Sequence, residues 1–191
     1  MTDLVPDRSR AVLSRGTSRL LIVDMQEKLL RIMPDAAAVQ ARCKMLVDAA
    51  QLLGIPVDAT EQYPKGLGPT IAELAALIPD RPEKRRFSAA RSLPWMAKLV
   101  DDGRHQVVVA GIESHVCVLQ TALDLVAAGF DVHVPADIVT SRNALDSETA
   151  LRRMSGEGVT ITTAETVLFE WCETAEAEEF KAISRLITSR T

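Results

Sequence analysis

Apolar residues in this chain gather into short blocks, separated by longer stretches in which they recur every three or four positions. The blocks, rich in Val, Ile and Leu, lie at residues 19–24 (RLLIVD), 56–60 (PVDAT), 105–110 (HQVVVA), 130–135 (FDVHVP) and 158–162 (GVTIT). Blocks of this kind suit parallel strands buried on both faces. A weaker strand is expected over 83–87. Between them, residues 34–54 place Val39, Cys43, Leu46, Val47, Ala50 and Leu53 on one helical face, and Gly54 is positioned to end the helix. Further helices are expected over 70–78, 92–102, 114–128, 146–156 and 177–188. Strand and helix alternate throughout, which predicts an α/β fold of three layers: a doubly wound, six-stranded parallel sheet with helices on both faces. These units occupy nearly all 191 residues, so a single domain over 1–191 is expected, with an N-terminal arm of about residues 1–17. The stretch 61–69 (EQYPKGLGP) reads equally as a plain connection or as a loop over a substrate.

Composition narrows the class. With 47% hydrophobic and 25% charged residues the chain has the balance of an ordinary soluble domain. At this length it can bury roughly 70% of its unfolded surface, so neither disulfides nor a structural metal is required. A net charge of −4 argues against nucleic acid as a partner. No apolar run is long enough to span a bilayer, and the first residues, MTDLVPDRSRAVLSRG, lack the apolar core of a signal peptide. Three widely spaced cysteines without a CxxC pair fit a reducing cytosol, so a cytoplasmic location is expected.

In open α/β sheets ligands bind beyond the carboxyl ends of the strands, so reactive residues are sought there. Asp24 closes the first strand. A carboxylate desolvated at that position is a plausible base, although a strand-end Asp taken alone reads as a helix cap or surface acid. Cys117, in GIESHVCV after the strand at 105–110, falls in the first turn of a helix that Ser114 is positioned to cap. The helix dipole and unpaired amides there favour a thiolate and can hold an oxyanion. Cys43 and Cys172 read as small buried apolar residues. Lys84 precedes Arg85 and Arg86, and by local sequence the group is a solvated basic cluster. His115 lies two positions from Cys117, and residues so spaced do not face each other on a helix. His133 reads as a packed or subunit-contact residue and His105 as solvated. The histidines share no metal-ligand spacing, and no GxGxxG, GxxxxGK[ST] or GxSxG motif is present.

Together, Asp24 in LLIVDMQ, Lys84 in EKRRFS and Cys117 in GIESHVC resemble the catalytic set of the isochorismatase-like cysteine hydrolase superfamily. The resemblance runs from LLIVDMQEKLL through GVTITTAETVLFE. The segments EQYPKGLGPT and GIESHVCVLQTALDLVAAGFDVHVPAD look most like isochorismatase domain-containing proteins and their bacterial relatives.

This resemblance implies a strand order of 3-2-1-4-5-6, which makes Asp24 and Cys117 neighbours at the point where the order reverses. It implies that Asp24 takes the Cys117 proton, that the thiolate attacks an amide- or imide-type carbonyl, and that Lys84 holds the charges of the pair. It also implies a cis peptide at Ile112–Glu113, with the Glu113 and Cys117 amides directed at the oxyanion. Gln26, Tyr63, Leu67, Phe87 and Ile112 are placed to line a small substrate pocket or, on equal terms, to pack. Metal-dependent nicotinamidases of the superfamily carry Asp-x-His after the second strand. Here the segment reads VDATEQYP, so no metal is expected, and no cofactor is implied. Cys117 also argues against a vinyl-ether-cleaving isochorismatase. A homo-oligomer, dimer or higher, is expected, with Phe169–Trp171 and the last helix offering apolar surface. The alternative is a catalytically silent protein that keeps the fold as an interaction module.

Overall fold

The structure, a computed structural model, describes residues 8–91 and 102–188. Its core is a parallel sheet of seven strands: β1 (Ser18–Val23), β2 (Val57–Gln62), β3 (Glu83–Lys84), β4 (Gln106–Ile112), β5 (Asp131–Pro135), β6 (Val139–Thr140) and β7 (Thr160–Thr162). The order is β3-β2-β1-β4-β5-β7, with β6 paired to β4 off this path. The expected 3-2-1-4-5-6 order is therefore present, its last strand being β7. The unexpected β6 extends the ladder beyond the carboxyl end of β4, where Gly111 pairs with Val139 and Ile112 with Thr140.

The described helices are α1 (Glu27–Leu30), α2 (Ala36–Leu52), α3 (Pro64–Leu67), α4 (Ala72–Leu77), α5 (Leu119–Ala127), α6 (Ala144–Gly156), α7 (Ala164–Cys172) and α8 (Phe180–Thr188). The helix expected over 92–102 lies, apart from Asp102, outside the described residues. Alternation along the central strands creates two cores. Leu20 and Ile22 of β1, with Val108, Ala110 and Ile112 of β4, pack towards α2, α4, α7 and α8. Leu21 and Val23, with Val107 and Val109, pack towards α5 and α6. Removing one such buried aliphatic side chain down to Ala costs about 2–5 kcal/mol. The two faces fix the strand register, since a one-residue slip would exchange the cores.

Several expectations need correction. The strand expected over 83–87 stops at Lys84, because the carbonyls of Arg86 and Phe87 turn in to accept from Lys84 Nζ at 3.4 and 2.9 Å instead of continuing a ladder. The stretch 61–69 holds the end of β2 and the turn of α3. Within the expected N-terminal arm, the described residues from Arg8 onward contact the domain. Leu13 is fully buried, its amide donates to Glu170 Oε2 at 2.9 Å, and the Ser14 amide donates to Gln106 Oε1 at 2.9 Å. Of the apolar surface expected at Phe169–Trp171, only Phe169 is exposed; Trp171 faces the core from α7. No helix among the described residues is long and apolar enough to cross a membrane.

Candidate active site

The strand order reverses between β1 and β4, which run side by side with Val23 opposite Gly111. Gly111 has φ +117, and a Cβ on it would lie 2.1 Å from the Val23 carbonyl oxygen. Only glycine permits that approach, which brings the segment after β4 against the segment after β1. Asp24 follows β1 directly in the left-handed region, φ 51, a conformation that Asp tolerates better than most residues. Its amide donates to the Thr60 carbonyl at 3.2 Å, and its side chain is fully buried.

Three groups converge on that carboxylate. Lys84 Nζ donates to Oδ2 at 2.6 Å, Thr60 Oγ1 donates to Oδ1 at 2.9 Å, and the Cys117 thiol lies near enough to interact with the same side chain. Lys84 is 3% exposed and also donates to Gln62 Oε1 at 2.7 Å and to the Phe87 carbonyl. The solvated basic cluster suggested by local sequence is thus replaced by a buried, fully partnered ammonium. Asp24, Lys84 and Cys117, distant in sequence, lie together at the carboxyl edge of the sheet.

Cys117 belongs to a π-helical turn, Ser114–Val118, that precedes α5. The Glu113 carbonyl accepts from the amides of Val116 at 3.1 Å and Val118 at 3.2 Å, on either side of Cys117. Glu113 precedes the turn in extended conformation, and the Ile112–Glu113 peptide is cis. Ser114 is not a side-chain cap: it is the first residue of the turn, and its Oγ accepts from Ser147 Oγ at 3.1 Å. The segment after β6 clamps the turn at two further points. Glu113 Oε2 accepts from Arg142 Nε at 3.0 Å, and His115 Nδ1 lies 2.9 Å from Ser141 Oγ. His115 is therefore committed to Ser141 and not to Cys117.

Electrostatics set the resting protonation. Burial, followed by the charge of Asp24, pushes the Cys117 thiol up to about 12, and Lys84 only partly offsets this. Burial also raises Asp24, outweighing Lys84, Cys117 and Thr60. The expectation of a thiolate favoured by the helix terminus is overturned: desolvation dominates, and the thiol holds its proton beside a carboxylate able to receive it.

The five expected pocket residues divide. Gln26 is fully buried and its amide is consumed by the backbone, Nε2 donating to the carbonyls of Gln62 at 3.0 Å and Gly68 at 2.6 Å while Oε1 accepts from Gln62 N at 2.8 Å. It staples the β2 end to the loop after α3 and leaves no amide for a ligand. Ile112 is fully buried in the core. Tyr63 and Phe87 are exposed and Leu67 is half-buried; the Arg85 guanidinium stacks 4.3 Å from the Tyr63 ring centroid. Sequence reasoning missed Thr60 and Gln62, the polar pair that orients Asp24 and Lys84. Their two-residue spacing at the end of β2 places both on one face and was the available signal. Asp58, two positions earlier, instead pairs with Arg19. Among the described residues, no group of three or more His, Cys, Asp or Glu side chains is placed to hold a metal ion.

Comparison with known proteins follows this geometry. Residues 18–166 match the family model of the isochorismatase domain. Isochorismatase domain-containing protein 1 of Danio rerio is 40% identical over 182 residues, covering 92% of this chain and 62% of the relative; the chain thus spans about three fifths of that protein's length. Among solved structures, the MAR1 ribonuclease of Caenorhabditis elegans superposes with a TM-score of 0.87 at 34% identity, covering 93% of this chain and 92% of the other. The YcaC gene product of Escherichia coli, described as an octameric hydrolase of unknown specificity, superposes with a TM-score of 0.82 at 25% identity, covering 96% and 98%.

Proposed function

The chain belongs to the isochorismatase family, a family of hydrolases, and on that premise we propose that it is a metal-independent cysteine hydrolase opening a small amide- or imide-type C–N bond through a thioester. One observation carries this: a buried carboxylate, Asp24, sits between an ammonium 2.6 Å away and the Cys117 thiol at the sheet's reversal point. On a substrate's arrival the thiol proton passes to Asp24 as sulfur bonds to the carbonyl carbon, and the oxyanion forms beside the Glu113 and Cys117 amides. The C–N bond then breaks, and the proton on Asp24 goes to the leaving nitrogen. Asp24 next takes a proton from water, whose oxygen attacks the thioester; the C–S bond breaks and the proton returns to sulfur. Lys84 stays paired with Asp24 and keeps the carboxylate aimed. Tyr63, Leu67 and Phe87 remain, in this proposal, the residues that would contact the substrate. A homo-oligomer, dimer or larger, belongs to the proposal, in keeping with the octameric E. coli neighbour; light scattering reads its mass.

The test is a panel of small amides, imides and esters run against wild type and Cys117→Ala, with intact-mass detection of an acyl adduct. Wild type should turn over at least one member and Cys117→Ala none, while Asp24→Asn should lose about 100- to 10,000-fold. Turnover that survives Cys117→Ala would sink the proposal, and complete silence of wild type with no adduct would favour the interaction-module alternative. The name of the C. elegans neighbour adds an RNA arm. A thiol nucleophile and a net charge of −4 suit acyl carbon better than a polyanion, and RNA cleavage abolished by Cys117→Ala would reverse that preference.

A further inference from the structure

The opposite edge of the sheet carries a second concavity. A cleft of about 610 Å³ opens at the amino ends of β4, β5 and β7, the far end of the strands from Cys117. That volume lies within the range of small-molecule sites, about 300–1,000 Å³. Its deepest polar group is His133, 2% exposed, whose ring makes no hydrogen bond among the described residues. The enclosed polar side-chain atoms without a partner among the described residues belong to Arg19, Ser88 and Trp171, so the His133 ring nitrogens are open to the cleft and to a ligand in it. At the rim, His105 Nε2 lies 3.7 Å from Asp131 Oδ2, so that carboxylate already has a companion. Arg10 has its backbone held, its carbonyl accepting from Gln106 Nε2 at 3.1 Å, while its guanidinium has no partner among the described residues. Val126 and Phe130, both half-buried, supply an apolar wall.

We propose that this cleft is a second ligand site, separate from the thiol site, that takes a small organic monocarboxylate with an apolar body. The carboxylate pairs with the planar fork of Arg10, the apolar body lies along Val126 and Phe130, and a polar atom of the ligand completes the hydrogen bonding of His133. Arginine suits a carboxylate because two parallel N–H groups match its two oxygens. Asp131 on the same rim penalises a dianion, which separates this ligand class from phosphate esters. The charged groups facing His133 from the packed elements are Asp131 on β5 and Glu170 on α7, and both add to that penalty.

The chain provides its own reporters, having three histidines: two line this cleft, and His115 lies beside Cys117. The experiment is an NMR titration of the imidazole resonances of the full chain at pH 7.5, with benzoate as probe and inorganic phosphate as control. Saturable shifts of His105 and His133 with His115 unmoved, weakened at least about 10-fold by Arg10→Ala, are the expected result. A response confined to His115, a response that never saturates, an equal response to phosphate, or full binding in Arg10→Ala would each overturn the proposal. Arg10 is exposed, so its replacement leaves the core untouched.

Discussion

A thiol that is 6% exposed and set beside a carboxylate and an ammonium has its proton affinity set by burial and by those two charges. The rise of Cys117 from its ordinary 9.0 to about 12 corresponds to about 4 kcal/mol against the free thiolate. A helix terminus offers roughly 0.3–1 kcal/mol in the opposite sense, so burial decides the resting state. Because the Asp24 charge raises the thiol and Lys84 lowers it, the two variants should act oppositely. Asp24→Asn should lower the Cys117 pKa while cutting turnover about 100- to 10,000-fold, and Lys84→Ala should raise that pKa. Thiolate absorbance near 240 nm, taken as a difference against Cys117→Ala, reads both, and movement in the same direction would contradict the assigned geometry. None of this was visible in local sequence. Lys84 in EKRRFS looks solvated because its side-chain partners, Asp24 and Gln62, lie far along the chain or on another strand. Asp24 and Cys117 were legible as strand-end residues, but their adjacency came only from the resemblance and the strand order it carries.

At the scale of elements, the cysteine turn is held from beneath by a strand contact and from the side by the β6–α6 segment. Two glycines separate the causes of backbone strain. Gly54 ends α2 at φ +68 with nothing within 4 Å of a Cβ, so Gly54→Ala should cost about 1–2 kcal/mol, the left-handed penalty alone. Gly111→Ala adds a collision with the Val23 backbone and should cost clearly more, measured as a larger drop in urea midpoint at unchanged slope. Equal losses would mean that the β1–β4 approach is not as tight as described. The strands were legible because VVVA- and LLIVD-type blocks have few other uses. Helix α7 was not: ITTAETVLFEWC begins as a strand signal, and the Thr163 hydroxyl that caps the helix by accepting from Thr166 N at 3.3 Å follows directly after the expected strand. The π-helical turn has no signature in hydrophobic spacing, so 114–128 read as one uninterrupted helix.

Across the whole molecule, the sheet separates two chemically different edges, a thiol–carboxylate–ammonium set at the carboxyl ends and a histidine-lined cleft at the amino ends. The latter gives the fold a pH signature. Burial holds His133 below the ordinary 6.5, against the pull of Glu170 and Asp131. The folded state therefore binds this proton less readily than the unfolded chain. The contribution of His133 is fully present above pH 6.5 and is lost as pH falls through the folded value. Urea unfolding should show stability declining from pH 7 towards pH 5, with the slope reduced in His133→Gln; an unchanged slope would remove His133 as its source. At the other edge, the proposed mechanism starts the Asp24–Lys84–Cys117 set as one carboxylate, one ammonium and one thiol, whose charges sum to zero. That sum is unchanged when the thiol proton moves to Asp24, because the negative charge only changes atoms. On the proposed mechanism the attacking state would thus form without an ion exchanged with solvent, and the salt that governs how charged molecules reach the surface would have little hold on the proton transfer inside.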